Sequence, residues 1–99
     1  MVNPVFQEQL EPLGYQQIVA ATLASATALT VPSRSQVAIM KVEAGALRWR
    51  DDGSDPTSAV GMLEADGAKF FYCGDLSTFK AIRVDATTIL NVSYYRGPN

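Results

Sequence analysis

Between Tyr15 and Arg96 the chain is broken into short runs of β-forming residues, cut by turn residues roughly every 8–12 positions. That spacing constrains the fold more than any other feature. "YQQIVAATL" and "TALTV" read as the first two strands, the second stopped at Pro32. "QVAIMKVEA" (36–44) is long and β-branched, and ends at Gly45. "ALRWRD" follows at once and is expected as its hairpin partner. After "DDGSDPTS" comes a short run around Val60–Leu63, then the turn "EADG", the strand "AKFFYC", the turn "GDLS" and the strand "FKAIRVD". "TTILNVSYYR" closes the series with the cleanest alternation: Leu90, Val92 and Tyr94 on one face, Ile89, Asn91, Ser93 and Tyr95 on the other. The alanine-rich stretch 20–28 can also be read as a helix, but Thr22, Thr27 and Thr30 recur there and no cap precedes it. The expectation is an all-β fold: a single small β-sandwich or jelly-roll-like barrel of seven or eight short antiparallel strands.

The 99 residues suffice for one domain and not two. Residues 1–14 lack periodicity, and Pro4 and Pro12 block both helix and sheet. They read as an extended N-terminal docking arm, with the β-sandwich domain at 15–99. Val2, Val5 and Phe6 are the apolar side chains with which such an arm reaches a neighbour. Apolar residues make up 47% of the chain, enough for a true core. Charged residues are only 18%, below the usual quarter, as expected where a partner covers part of the surface.

Composition also excludes function classes. The net charge is −2 and the basic residues are scattered, which argues against a nucleic-acid groove. No apolar run has the length of a membrane helix, and "MVNPVFQEQLEP" lacks the basic and apolar regions of a secretory leader. There is no histidine, hence no Ser–His or Cys–His pair and no imidazole metal site. Cys73, the one cysteine, sits in the aromatic run "KFFYC" and is expected to be a buried, inert thiol. A reducing cytoplasm during assembly fits this cysteine usage. No cofactor and no enzymatic activity are expected.

The stretch "ALRWRDDGSDPTSAVGM" (46–62) holds the single tryptophan. Period-two alternation puts Leu47 and Trp49 on the core face and Arg48 and Arg50 outside. The two arginines are thus candidates for partner binding. Asp51, Asp52 and Asp55 crowd the next turn, where Gly53 supplies positive φ. Three acids in five residues raise the question of calcium, but the stretch has neither EF-hand spacing nor the glutamate of position twelve. A glycosidase pair requires one acid of raised pKa in a cleft, and exposed turn acids beside arginines stay ionised. A well-specified corner with Arg–Asp pairs on its rim is the expectation.

"LRWRDDGSDPTSAVGM", the later "GDLSTFKAIR" and the closing "ATTILNVSYYR" resemble small structural proteins of tailed bacteriophages and prophages, over residues 26–96. The resemblance implies a virion component, with a capsid cement or decoration protein as the nearest type. Such proteins are compact β-folds, often homotrimers, seated on the seams between capsomers. It implies a place on the capsid surface, the major capsid protein and further copies of the chain as partners, and no direct contact with nucleic acid or membrane. The alternatives are a head–tail adaptor or other tail component, and a carbohydrate-binding β-module in which Trp49, Tyr72, Tyr94 and Tyr95 stack on sugars.

Overall fold

The computed structural model describes residues 9–97. Its strands are β1 (Glu11–Ile18), β2 (Thr27–Ala28), β3 (Val37–Glu43), β4 (Leu47–Arg50), β5 (Met62–Glu64), β6 (Lys69–Tyr72), β7 (Lys80–Arg83) and β8 (Ile89–Arg96). One short 3₁₀ turn, Thr22–Ala24, lies between β1 and β2. The first sheet has the order β1-β8-β3-β6 and the second β2-β7-β4-β5, with every pairing antiparallel. The chain changes sheet at every connection except β4–β5. Eight strands interleaved in this order form a jelly roll, so the expected all-β sandwich is the observed fold.

Alternation builds the core. Ile18, Ala38, Met40, Val42, Tyr72, Leu90, Val92 and Tyr94 point inward from the first sheet, and Leu47 and Ala81 from the second. Leu23, Leu76 and Phe79, from the connections, close the ends. Each large apolar side chain removed from water contributes about 1.5–3 kcal/mol before ordering costs. The two faces read from "ILNVSYYR" are the observed ones: Leu90, Val92 and Tyr94 are buried and the alternate residues half-buried. The Tyr94 hydroxyl donates to Gln16 Oε1 at 2.7 Å, so the buried ring keeps a partner for its polar end.

Several expectations need correction. "QVAIMKVEA" and "ALRWRD" do not form a hairpin: β3 lies in the first sheet and β4 in the second. The corner between them is made by Ala44 (φ 64°) and Gly45 (φ 149°). It is tied to the β7–β8 connection, because the Ala46 N–H donates to Asp85 Oδ2 at 2.8 Å and its carbonyl accepts from Thr88 Oγ1 at 2.7 Å. Next, "YQQIVAATL" is not one strand, since β1 ends at Ile18 and the alanine-rich part turns through the 3₁₀ segment that buries Leu23. Cys73 is exposed, not buried. Alternation along β6 turns Phe71 out and Tyr72 in, and Cys73 follows just beyond the strand. Finally, the arm–domain boundary expected at residue 15 falls inside β1, where Glu11 and Pro12 already pair with Arg96 and Tyr95. The ladder shifts register between Pro12 and Gly14, as an edge strand with an internal proline allows. Val2, Val5 and Phe6, with most of the expected arm, lie outside the described residues.

Candidate functional site

The stretch singled out in the sequence forms the β4–β5 corner. Trp49 is half-buried and packs against the core. Its ring stacks on Phe79 (centroids 5.0 Å apart, 21° between planes) and lies near-parallel to Phe70 at 6.1 Å. Tyr72 meets it edge-on at 5.7 Å and also contacts Phe79 at 5.0 Å. Phe70 and Tyr72 belong to the first sheet and Trp49 to the second, so four rings close one end of the sandwich. The indole N–H donates to Glu64 Oε2 at 3.1 Å across the β4–β5 pair. The core face expected for Leu47 and Trp49 is therefore the observed one, though Trp49 keeps part of its surface in water.

The charges around the corner are hydrogen-bonded within the chain, with two ion pairs among them. Arg48 lies on the outer face, but its guanidinium turns to its own loop, donating to the carbonyls of Ser58 (3.1 Å) and Gly61 (2.8 Å). Arg50 makes a two-pronged pair with Asp52, Nε to Oδ1 at 3.0 Å and Nη2 to Oδ2 at 2.6 Å. The Arg50 hydrogen bond holds the Asp52 carboxyl below its ordinary range, and Asp52 in turn raises Arg50. Lys80 reaches Asp55 at 2.8 Å. The Asp51 carboxylate accepts from the Tyr72 hydroxyl at 2.7 Å, and its carbonyl accepts from Thr78 Oγ1 at 2.8 Å. Burial, then the Asp51 hydrogen bond, push the Tyr72 phenol well above its usual value. Pro56 is buried, and Thr57 and Val60 bond reciprocally through their backbones. Gly61 has φ 140°, and a Cβ there would come within 3.1 Å of the Trp49 carbonyl. The loop thus packs down onto β4.

Beside these paired charges stand apolar side chains. Val60, Met62 and Leu63 are all more than half exposed on the short edge strand and the turn before it. Val60, Gly61 and Met62 line a shallow depression of about 250 Å³ with Arg50, Asp51 and Asp52. That is smaller than the ~300–1,000 Å³ of ordinary small-molecule pockets. Among the described residues, no group of three or more acids or cysteines is placed to hold a metal. No helix among them is long and apolar enough to cross a membrane. The structure brings Arg48 and Arg50 to the same corner and places Tyr72, Tyr94 and most of Trp49 in the interior. Sequence reasoning missed Met62 and Leu63; their signal is an apolar run beside a loop too long for a tight hairpin. Comparison with family models, with curated proteins and with solved structures found no match.

Proposed function

We propose that the protein is a non-enzymatic structural component of a phage-type virion, a cement or decoration protein that binds and stabilises the capsid lattice. It acts as a homo-oligomer at the capsid surface after assembly in the host cytoplasm. The reading rests on the likeness of residues 26–96 to small phage structural proteins. The observation that carries it is the β4–β5 corner, where the charges are hydrogen-bonded within the chain and Val60 and Met62 stand exposed beside them around one depression, while Leu63, opposite Arg48, is exposed on the other face of the strand. A surface of this kind works by contact, and an apolar centre with a polar rim is the usual anatomy of an interface. Arg48 then acts by fixing the loop, and Arg50 lies at the rim. The sugar-stacking alternative loses support, because Tyr72, Tyr94 and most of Trp49 pack inside.

Co-sedimentation with assembled capsids tests the proposal. Saturable binding at hundreds of copies per particle is expected, with marked loss in the Val60→Glu/Met62→Glu variant. Binding at about a dozen copies points instead to an adaptor at one vertex, and no binding overturns the reading.

A further inference from the structure

The outer face of the first sheet carries a second apolar surface. The register sets Tyr15 opposite Ser93, Ser93 opposite Ile39, and Ile39 opposite Phe71. These four residues form one row across all four strands. Its two ends are the exposed rings, Tyr15 at 63% and Phe71 at 57%. The row beside it holds Tyr95 opposite Val37, both half-buried. An outward-facing row in an antiparallel sheet is ordinarily polar.

Most polar atoms on this face, Lys69 apart, are already engaged. The Tyr15 hydroxyl donates to Asn91 Oδ1, which also accepts from Gln17 Nε2 at 3.1 Å. Asn91 Nδ2 donates to Glu43 Oε1 at 2.7 Å, and Ser93 Oγ to the Tyr95 hydroxyl at 3.2 Å. Lys41 Nζ donates to the Gly67 carbonyl at 2.8 Å. Covering the face therefore leaves few polar groups without partners, which is the main cost of burying a mixed surface.

We propose that this face is the interface between two copies of the chain, stacked about a two-fold axis that runs between β8 and β3, about 15° from the strand direction, so that the two sheets cross at about 30°. That operation lays Tyr15 of one copy on Phe71 of the other, and Phe71 on Tyr15, while Ser93 meets Ile39. In the next row, Gln17 meets Lys69 and Asn91 meets Lys41, so no lysine faces a lysine. An isologous interface needs such a self-complementary row. Four strands at ~4.8 Å and seven residues at ~3.3 Å give a flat footprint of about 440 Å² per copy. Side-chain relief raises the accessible area, bringing the pair to the roughly 1,000 Å² that a specific interface requires. Sheets stacked face to face lie about 30° apart, an angle that keeps the central row in contact and moves the end rows, with Glu43, towards solvent.

The proposal stands whether or not the larger partner is a capsid, because its test uses the protein alone. Sedimentation equilibrium of the full chain, in a series reaching millimolar concentration, is expected to move from monomer to dimer. Phe71→Glu and Tyr15→Lys should each shift the dimerisation constant at least tenfold towards monomer. The double variant Tyr15→Lys/Phe71→Glu should recover most of that loss, because the two-fold brings each lysine to the other copy's glutamate. As a second measurement in a Cys73→Ser background, Tyr15→Cys and Phe71→Cys proteins are mixed and oxidised. A mixed disulfide dimer is expected, in excess over either homodimer. A monomer at every concentration overturns the proposal, as does a trimer or a dimer that forms no 15–71 cross-link.

Discussion

The Tyr72 hydroxyl donates to the Asp51 carboxylate at 2.7 Å, which joins the end of β6 in one sheet to the end of β4 in the other. The ring beneath that bond is wedged between Trp49 and Phe79, so one residue links the aromatic cluster to the acidic loop. Tyr72→Phe keeps the ring and removes the link. A hydrogen bond to a charged group contributes about 1.5–3 kcal/mol, and partial exposure places this one at the lower end. Urea unfolding is expected to show a loss of about 1–2 kcal/mol with an unchanged m-value. No change would mean that water satisfies Asp51 equally well.

Trp49→Ala is expected to destabilise the fold by about 3 kcal/mol, the lower end of the range for removing a large core aromatic, because Trp49 keeps part of its surface exposed. Near-ultraviolet circular dichroism should lose its aromatic signal together with the stability, since Phe70 and Phe79 lose their shared neighbour.

Tyr94 makes stability sensitive to alkali. Burial raises its phenol from 10.0 to about 12, whereas the unfolded chain releases the same proton near 10. Below pH 10 both states hold the proton and the contribution is complete. Between about 10 and 12 the folded state binds more protons than the unfolded one, so stability falls as pH rises. Denaturation midpoints at stepped pH should trace that fall. Tyr94→Phe should reduce it, leaving the part that the raised Tyr72 phenol contributes with the same sign, while lowering stability at neutral pH through loss of the Gln16 bond.

Two glycines separate backbone strain from crowding. Gly53 has φ 89° with open space around it, so Gly53→Ala should cost about 1–2 kcal/mol from the left-handed backbone alone. At Gly45, with φ 149°, a Cβ would lie 2.5 Å from Thr88 Oγ1 and 2.8 Å from Asp85 Cβ. Gly45→Ala should therefore cost clearly more and loosen the β3–β4 corner. Thermal melts of the two variants provide the comparison, and equal shifts would count against the crowding.

Exposure of Cys73 predicts ready reaction with a thiol reagent in the folded state, at a rate little changed by urea. A large acceleration on unfolding would return the thiol to the interior.

Much of the fold is legible in the sequence because strand existence is a local property. The 36–44 run, "AKFFYC", "FKAIRVD" and "TTILNVSYYR" all contain strands, and the alternation of the last one names the core residues correctly. Sheet membership is not local. β3 and β4 are separated by three residues and look like a hairpin, yet they part because Ala44 and Gly45 turn the corner and Asp85 and Thr88 hold Ala46 from far along the chain. Cys73 departs from expectation for a different reason. The aromatic run suggested burial throughout, whereas the pleat buries Tyr72 and exposes its neighbours. At the candidate site, the outward direction of Arg48 was readable from alternation. Its bonding to the Ser58 and Gly61 carbonyls was not, because these depend on how the loop folds back.

The position of β8 has a consequence for how the protein comes into being. This is the last of the eight described strands, yet it sits in the interior of its sheet, with β1 on one side and β3 on the other. Until it leaves the ribosome, the earliest strand has no ladder to join, and Met40 and Val42 have no Val92 or Leu90 opposite them. The upstream strands must therefore wait for β8 before the sandwich can close. Non-local pairing of this kind folds on a scale of about milliseconds to seconds. Any ribosome that stops short of Ile89 releases a chain with no native state to reach.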